Sequence, residues 1–133
     1  MPRIYDIPSK FTTSEMQCPC LCGFGALEED YDRLLIDWLN IIRLLHGKPM
    51  IINSGARCAT HNAKVGGEPS SAHLPHPVTK KCRAADIRIS SSQDRHELLR
   101  LAYLLGFQRT GDGTGLIHLD TAHDLPQPVS WVY

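Results

Sequence analysis

The sequence lacks a surplus of charge of either sign and long apolar runs. Its 133 residues contain 14 Lys and Arg against 14 Asp and Glu. Proteins that bind nucleic acid or an anionic membrane usually carry a basic surplus that neutralises phosphates, so we expect neither as a partner. No apolar run approaches the roughly 20 residues that span a bilayer, and residues 1–6 lack the apolar stretch of a signal peptide. We therefore expect a soluble protein without a Sec-type export signal.

Internal repeats, low-complexity tracts and linkers are absent as well. With 42% hydrophobic and 21% charged residues, the composition is that of an ordinary globular protein. The length is typical of one domain, since the common domain size is about 100 to 150 residues. We predict a single domain over residues 1–133 and a monomer.

Cysteine is present in an odd number. Five occur, and three of them, Cys18, Cys20 and Cys22, alternate with other residues in one short segment. At least one thiol must therefore stay free or pair outside the chain. The segment admits a metal site, but no second cluster with ligand spacing follows it directly. We favour buried structural thiols or one disulfide to Cys58 or Cys82, and keep a cysteine-centred redox or metal-storage protein as an alternative.

Hydrophobic periodicity predicts helices and short strands in alternation. Apolar residues at three-and-four spacing favour helices over 27–45 and from the serines at 90–92 to 105, with a shorter helix over 58–64. Alternation or apolar runs favour strands over 50–53, 85–89, 107–110, 116–120 and 129–132. The connection 110–115 suits a hairpin. The order of elements predicts an α+β domain with an antiparallel sheet flanked by helices.

Three polar positions stand out because they interrupt or follow apolar segments. Asp86 lies in an apolar strand, where a carboxylate is costly to bury without a cation or donor. His118 lies between Ile117 and Leu119, and Asp120 shares its face of the strand. His73, Asp86 and His118 together offer the two imidazoles and one carboxylate of an open catalytic zinc site. Each also has an ordinary explanation, such as an ion pair between Asp86 and a neighbouring Arg.

Several segments, taken in order, strengthen the interpretation as a metal site. The Ser-x-His, Ala-x-Asp-Ile and His-x-Asp elements together resemble peptidase family M15, zinc peptidases of the D-alanyl-D-alanine carboxypeptidase type, in segments 53–58, 61–67, 71–73, 83–87 and 117–120. The likeness runs from about Phe11 to Trp131 and is greatest to the short single-domain branch found in phages and bacterial cell-wall proteins. It implies zinc as cofactor, with His73, Asp86 and His118 as ligands. It also implies the fold of the hedgehog signalling domain.

One departure from the family concerns the spacing of the first two ligands. His73 and Asp86 are 13 positions apart, more than is usual in the family, and Cys82 stands where a glycine is usual. The extra residues at 75–81 are most simply a longer loop, which costs little because closure entropy grows slowly with length. His76 becomes a competing first ligand. We prefer His73, because Ser71 before it fits the family pattern.

The resemblance also implies roles for other side chains. Arg57 and Ser71 match substrate-contacting positions of the family. The family's usual general-base positions fall on Gly115 and Leu116, which cannot serve. Asp120 is our preferred base and Asp112, in the glycine-rich turn, the second choice, while Asp120 serves equally well as a residue that orients a ligand.

The function predicted from these residues is hydrolysis of peptidoglycan stem peptides by a zinc carboxypeptidase or endopeptidase, D,D or L,D in specificity. Such an enzyme resembles a phage endolysin and acts on the cell wall once released or exported. The alternative is a binding module of the same fold that keeps zinc without turnover. The missing acid at the usual position favours that alternative.

Overall fold

The computed structural model describes residues 9–133. The sequence-based expectation of no signal segment concerns residues that lie outside this range. Within it the chain forms helices α1 (Thr13–Met16), α2 (Arg33–His46), α3 (Ala59–Lys64) and α4 (Ser92–Leu105), a 3-10 turn (Glu28–Asp30), and strands β1 (Ile52–Ser54), β2 (Ala84–Arg88), β3 (Arg109–Gly113), β4 (Leu116–Asp120) and β5 (Val129–Val132). None of the helices described has the length and apolar character that a membrane crossing requires.

The five strands form one sheet in the order β1-β2-β4-β3-β5. The first three pairings in this order are antiparallel, and β5 runs parallel to β3. The direction of β5 follows from loop 121–128, which stays at the end of the sheet where β4 finishes: Arg109 Nη1 donates to the Pro126 carbonyl at 2.6 Å. The predicted α+β fold is confirmed, with a mixed sheet that is mostly antiparallel.

One face of the sheet carries the hydrophobic core. Helices α2 and α4 contact each other, and the buried cluster joins them to the sheet through Leu35, Leu39, Ile42, Leu98, Leu101, Ile87, Ile117 and Leu119. Side chains alternate between the faces of a strand. Asp86, His118 and Asp120 therefore lie on the opposite face, away from these helices.

Helix α2 is shorter than the periodicity predicts, because it begins at Arg33 rather than near residue 27. The preceding residues pair with a distant segment instead. Tyr31 forms an isolated parallel bridge with Cys82, and the Asp32 amide donates to the Cys82 carbonyl at 2.8 Å. This tertiary pairing overrides the helical pattern of residues 27–31.

The predicted helix ends agree well with the structure. Gly47 and Gly106 end α2 and α4 with φ of +73° and +111°, where a side chain would be strained. Ser91 caps α4 and accepts from the Asp94 amide at 3.1 Å. The hairpin is tighter than predicted, because β3 continues to Gly113 and leaves only residues 114–115 as the turn.

All five cysteines lie within the described residues, and each is a free thiol. The disulfide that we considered to Cys58 or Cys82 does not form. Cys18 and Cys82 are buried, as the interpretation as structural thiols requires, and the Cys82 thiol donates to the Ala84 carbonyl at 3.3 Å. Cys20 and Cys22 are exposed, so for them that interpretation is wrong: they lie in a turn at the surface.

Candidate metal centre

Neighbouring strands bring the candidate ligands together. Asp86 of β2 stands directly opposite His118 of β4 in the antiparallel register, and His118 Nδ1 lies 2.8 Å from Asp86 Oδ1. The loop before β2 adds His73, whose Nε2 lies 3.2 Å from the same oxygen. Ligand atoms of all three lie within 4.8 Å of one another, and all three residues are buried. We call His73, Asp86 and His118 the metal trio.

Backbone hydrogen bonds fix the loop that carries His73. The His73 carbonyl accepts from the Arg57 amide at 3.0 Å, and the Ala72 carbonyl accepts from the Arg83 amide at 2.9 Å. Ser71 Oγ accepts from the His73 amide at 3.2 Å. Ser71, predicted from the resemblance to contact substrate, thus contributes to holding the ligand's backbone.

The extra residues between His73 and Asp86 close on themselves. The His76 amide donates to the Lys81 carbonyl at 3.1 Å, and the Lys80 amide donates back to His76 at 2.8 Å. His76 Nδ1 accepts from the amides of Val78 and Thr79, each at 3.1 Å, and its Nε2 lies 3.5 Å from Asp124. His76 is therefore occupied outside the trio, and the loop reaches the metal trio with His73.

Each imidazole has an inner nitrogen, which faces Asp86, and an outer nitrogen, which faces away from it. The outer nitrogen of each lies within hydrogen-bond distance of an acceptor outside the trio. His73 Nδ1 lies 2.6 Å from the Gly55 carbonyl, which can only accept, so this nitrogen carries the proton. His118 Nε2 lies 2.7 Å from Asp120 Oδ2. In the neutral tautomers, the two inner nitrogens and Asp86 Oδ1 are then three acceptors that face one another. A shared cation satisfies them, as is usual for histidine ligands with a carboxylate or carbonyl behind them.

The spacing of the trio fits a zinc ion. Zinc bonds to nitrogen and oxygen of about 2.0 to 2.1 Å place two tetrahedral ligand atoms roughly 3.3 Å apart. The separations of 2.8 and 3.2 Å around Asp86 Oδ1 are close to this value. Three protein ligands are the number found in catalytic sites, whereas structural sites use four.

Protonation states in the trio are set by burial and by its hydrogen bonds. Burial holds the pKa of His73 below its usual value. Burial opposes a charge on His118 too, but the hydrogen bonds to Asp120 and Asp86 outweigh it and raise the pKa of His118. Burial alone raises the pKa of Asp86, yet the hydrogen bonds with both histidines bring it well below its usual range. Binding of a metal ion at the trio would therefore compete with protonation of His118.

Asp120 lies behind His118, on the side of the imidazole away from Asp86. Its Oδ2 meets His118, while its Oδ1 accepts from Arg109 Nε at 2.8 Å and from the Ala122 amide at 3.1 Å. The carboxylate is fully buried. This geometry is that of a carboxylate that orients a histidine ligand, which is one of the two roles predicted from the sequence.

Asp112 is not brought to the trio. It lies in β3, opposite Ile117 in the register, and therefore on the face of the sheet that carries the core. Its carboxylate pairs with Arg95 of α4. The sequence places Asp112 in a flexible turn, but β3 extends through it, which fixes its direction away from His118.

Arg57 is attached to the metal trio through Asp86. Its Nη2 donates to Asp86 Oδ2 at 3.2 Å, its Nε donates to Ser54 Oγ at 2.9 Å, and its Nη1 reaches Asn62 Oδ1 at 3.4 Å. The side chain is only 15% exposed. Its described contacts are therefore with protein groups that hold Asp86, whereas the resemblance implies a contact with substrate.

We expect Arg57→Gln to weaken metal binding at the trio by about 10- to 100-fold, the usual cost of losing an outer partner of a ligand. The amide cannot replace the guanidinium charge beside Asp86 Oδ2. Zinc titration against a competing chelator measures the change, and Arg57→Lys should recover part of it. Unchanged affinity combined with a raised KM would instead assign Arg57 to substrate.

Sequence reasoning missed the aromatic side of the site. The Trp131 ring of β5 lies 5.1 Å from the His118 ring, and the Arg109 guanidinium lies 5.3 Å from the Trp131 ring. A Cβ on Gly111 would come within 2.4 Å of Trp131 Nε1. A glycine inside a strand often marks such a close approach, so Gly111 was the available signal.

Comparison with known proteins agrees with this geometry. The family model described as Peptidase M15 matches residues 9–120, a span that includes the whole metal trio. No match was found among curated proteins.

Proposed function

Because the chain belongs to peptidase family M15, we propose that it is a zinc-dependent hydrolase that cleaves the stem peptides of peptidoglycan as a carboxypeptidase or endopeptidase. Family membership itself implies a metal-dependent peptidase with hydrolase activity. The observation that carries the proposal is the metal trio, in which two imidazoles and one carboxylate converge on the opposite face of the sheet from the core. Zinc is proposed because its bond lengths fit these separations.

His73 Nε2, Asp86 Oδ1 and His118 Nδ1 would hold the zinc ion. When bound, zinc supplies Lewis acidity, which polarises a carbonyl and acidifies water. The Gly55 carbonyl and Asp120 keep the outer nitrogens protonated, so that the inner nitrogens stay available as ligands. Arg57 holds the second oxygen of Asp86 and limits the rotation of that carboxylate.

For Asp120 we propose the orienting role rather than that of general base. Both of its oxygens are already engaged by His118, Arg109 and Ala122, and a base must have an oxygen within hydrogen-bond reach of the proton it takes. The same observation favours the second candidate function, a zinc-containing module that binds a wall peptide without cleaving it.

The resemblance to cell-wall members of the family supports the choice of substrate. The test is incubation of the zinc-loaded protein with purified sacculi and with synthetic stem peptides, followed by mass spectrometry. Release of free D-alanine indicates a carboxypeptidase, and new internal amino termini indicate an endopeptidase. If the protein binds these peptides but releases no product, the peptidase proposal is wrong and the binding module is favoured.

A further inference from the structure

A second group of metal-binding side chains lies outside the trio. The Sγ atoms of Cys18, Cys20, Cys22 and Cys58, here called the cysteine cluster, all lie within 4.8 Å of one another. Cys18 Sγ and Cys20 Sγ are 3.3 Å apart, and Cys20 Sγ and Cys58 Sγ are 3.5 Å apart. Cys58 is distant in sequence from the other three, so only the fold completes the set of four.

These separations suit one tetrahedral ion. Zinc–sulfur bonds of about 2.3 Å place the sulfurs of a four-thiolate site about 3.8 Å apart. The separations of 3.3 and 3.5 Å are close to that value, and every pair in the cluster lies within 4.8 Å. A disulfide needs sulfurs about 2.05 Å apart, much closer than the measured pairs. Iron–sulfur clusters hold their cysteines farther apart than a single ion does, because irons and sulfides fill the space between them.

The surroundings of the cluster also favour thiolate ligands over core thiols. Cysteine is usually buried, yet Cys20 and Cys22 are exposed. Two backbone amides point at sulfur: the Cys58 amide donates to Cys18 Sγ and the His61 amide donates to Cys58 Sγ, both at 3.4 Å. An amide that donates to sulfur favours the charged thiolate, which is the form that binds metal.

The turn that carries three of the sulfurs is closed tightly around them. The Leu21 amide donates to the Cys18 carbonyl at 3.0 Å, and the Cys18 amide donates to the Phe24 carbonyl at 2.9 Å. Leu21 has φ of +59° and is 75% exposed. A leucine held in this disfavoured conformation without burial indicates that something other than apolar packing determines the turn.

We propose that the cysteine cluster binds one structural zinc ion through four thiolates. The ion would join the turn at residues 18–22 to Cys58, the residue that precedes α3. This junction bears on the metal trio, because Ala56 and Arg57 come directly before Cys58. The Ala56 amide donates to the Met16 carbonyl at 2.8 Å, and Arg57 holds Asp86.

The test is zinc content per chain in protein purified without chelator, for the wild type and two cysteine variants. Wild type should carry one equivalent for the cluster in addition to any ion at the trio. Cys20→Ser combined with Cys22→Ser replaces exposed side chains and should lose the cluster's equivalent and lower Tm. Cys82→Ser is the matched control, since Cys82 lies outside the cluster, and it should keep the full zinc content.

A measurement on the unaltered protein covers the case in which the double variant fails to fold. Titration of wild type with a mercurial should release the cluster's zinc, and a separate sample, denatured and freed of metal without mercurial, should show all five thiols as free. Cobalt substitution should give the near-ultraviolet thiolate charge-transfer band. Zinc content that does not change in the folded double variant, thiols lost to disulfides, or bound iron would each overturn the proposal.

Discussion

Asp86→Asn is expected to remove zinc from the metal trio and to reduce peptide hydrolysis to background. The substitution keeps the size of the side chain but removes the charge that two histidines and Arg57 share. The trio would then offer only neutral ligands to a divalent cation. Loss of this ligand should cost more than the about 10- to 100-fold in affinity or activity that loss of an outer partner costs.

Zinc content and hydrolysis of a stem peptide are the two measurements, made on the same preparation. Asp94→Asn is the matched control, because Asp94 is a partly exposed carboxylate paired with Lys48 at 3.2 Å. It should keep both zinc and activity. A folded Asp86→Asn protein with the wild-type zinc content would show that the trio is not the metal site.

The sequence singles out Asp86 and His118 because each of these polar residues contradicts its local apolar pattern. A carboxylate or an imidazole is costly to bury in an apolar strand unless it has a polar partner. The register of β2 and β4 places Asp86 opposite His118, so these two side chains are partners of each other. His73 could not be chosen over His76 by spacing. The choice depends on how the extra residues fold, and they close into a turn of their own around His76.

Other features depend on contacts that no local pattern encodes. The first turn of the helix predicted from residue 27 is lost because Tyr31 pairs with Cys82. Asp112 turns to the core face because β3 continues through the expected turn. The cysteine cluster needs Cys58, which the sequence presents only as a distant thiol. Helix ends at Gly47 and Gly106, in contrast, are local and were predicted.

Asp120→Asn should weaken zinc binding at the trio by about 10- to 100-fold. The carboxamide oxygen is needed by Arg109 and by the Ala122 amide, so its NH₂ group faces His118 Nε2. Two donors then meet. The imidazole is expected to move its proton to Nδ1, the nitrogen that faces Asp86, where the proton competes with the ion.

Zinc titration of activity separates this role from that of a general base. If Asp120 orients His118, excess zinc should restore much of the turnover of Asp120→Asn, because the variant then lacks only zinc affinity and its site is complete once the ion is bound. If Asp120 is the base, the variant should bind zinc as tightly as wild type and stay inactive at saturation. Asp112→Asn is the control: its carboxylate pairs with Arg95 on the core face of the sheet, so zinc affinity and turnover should stay near the wild-type values.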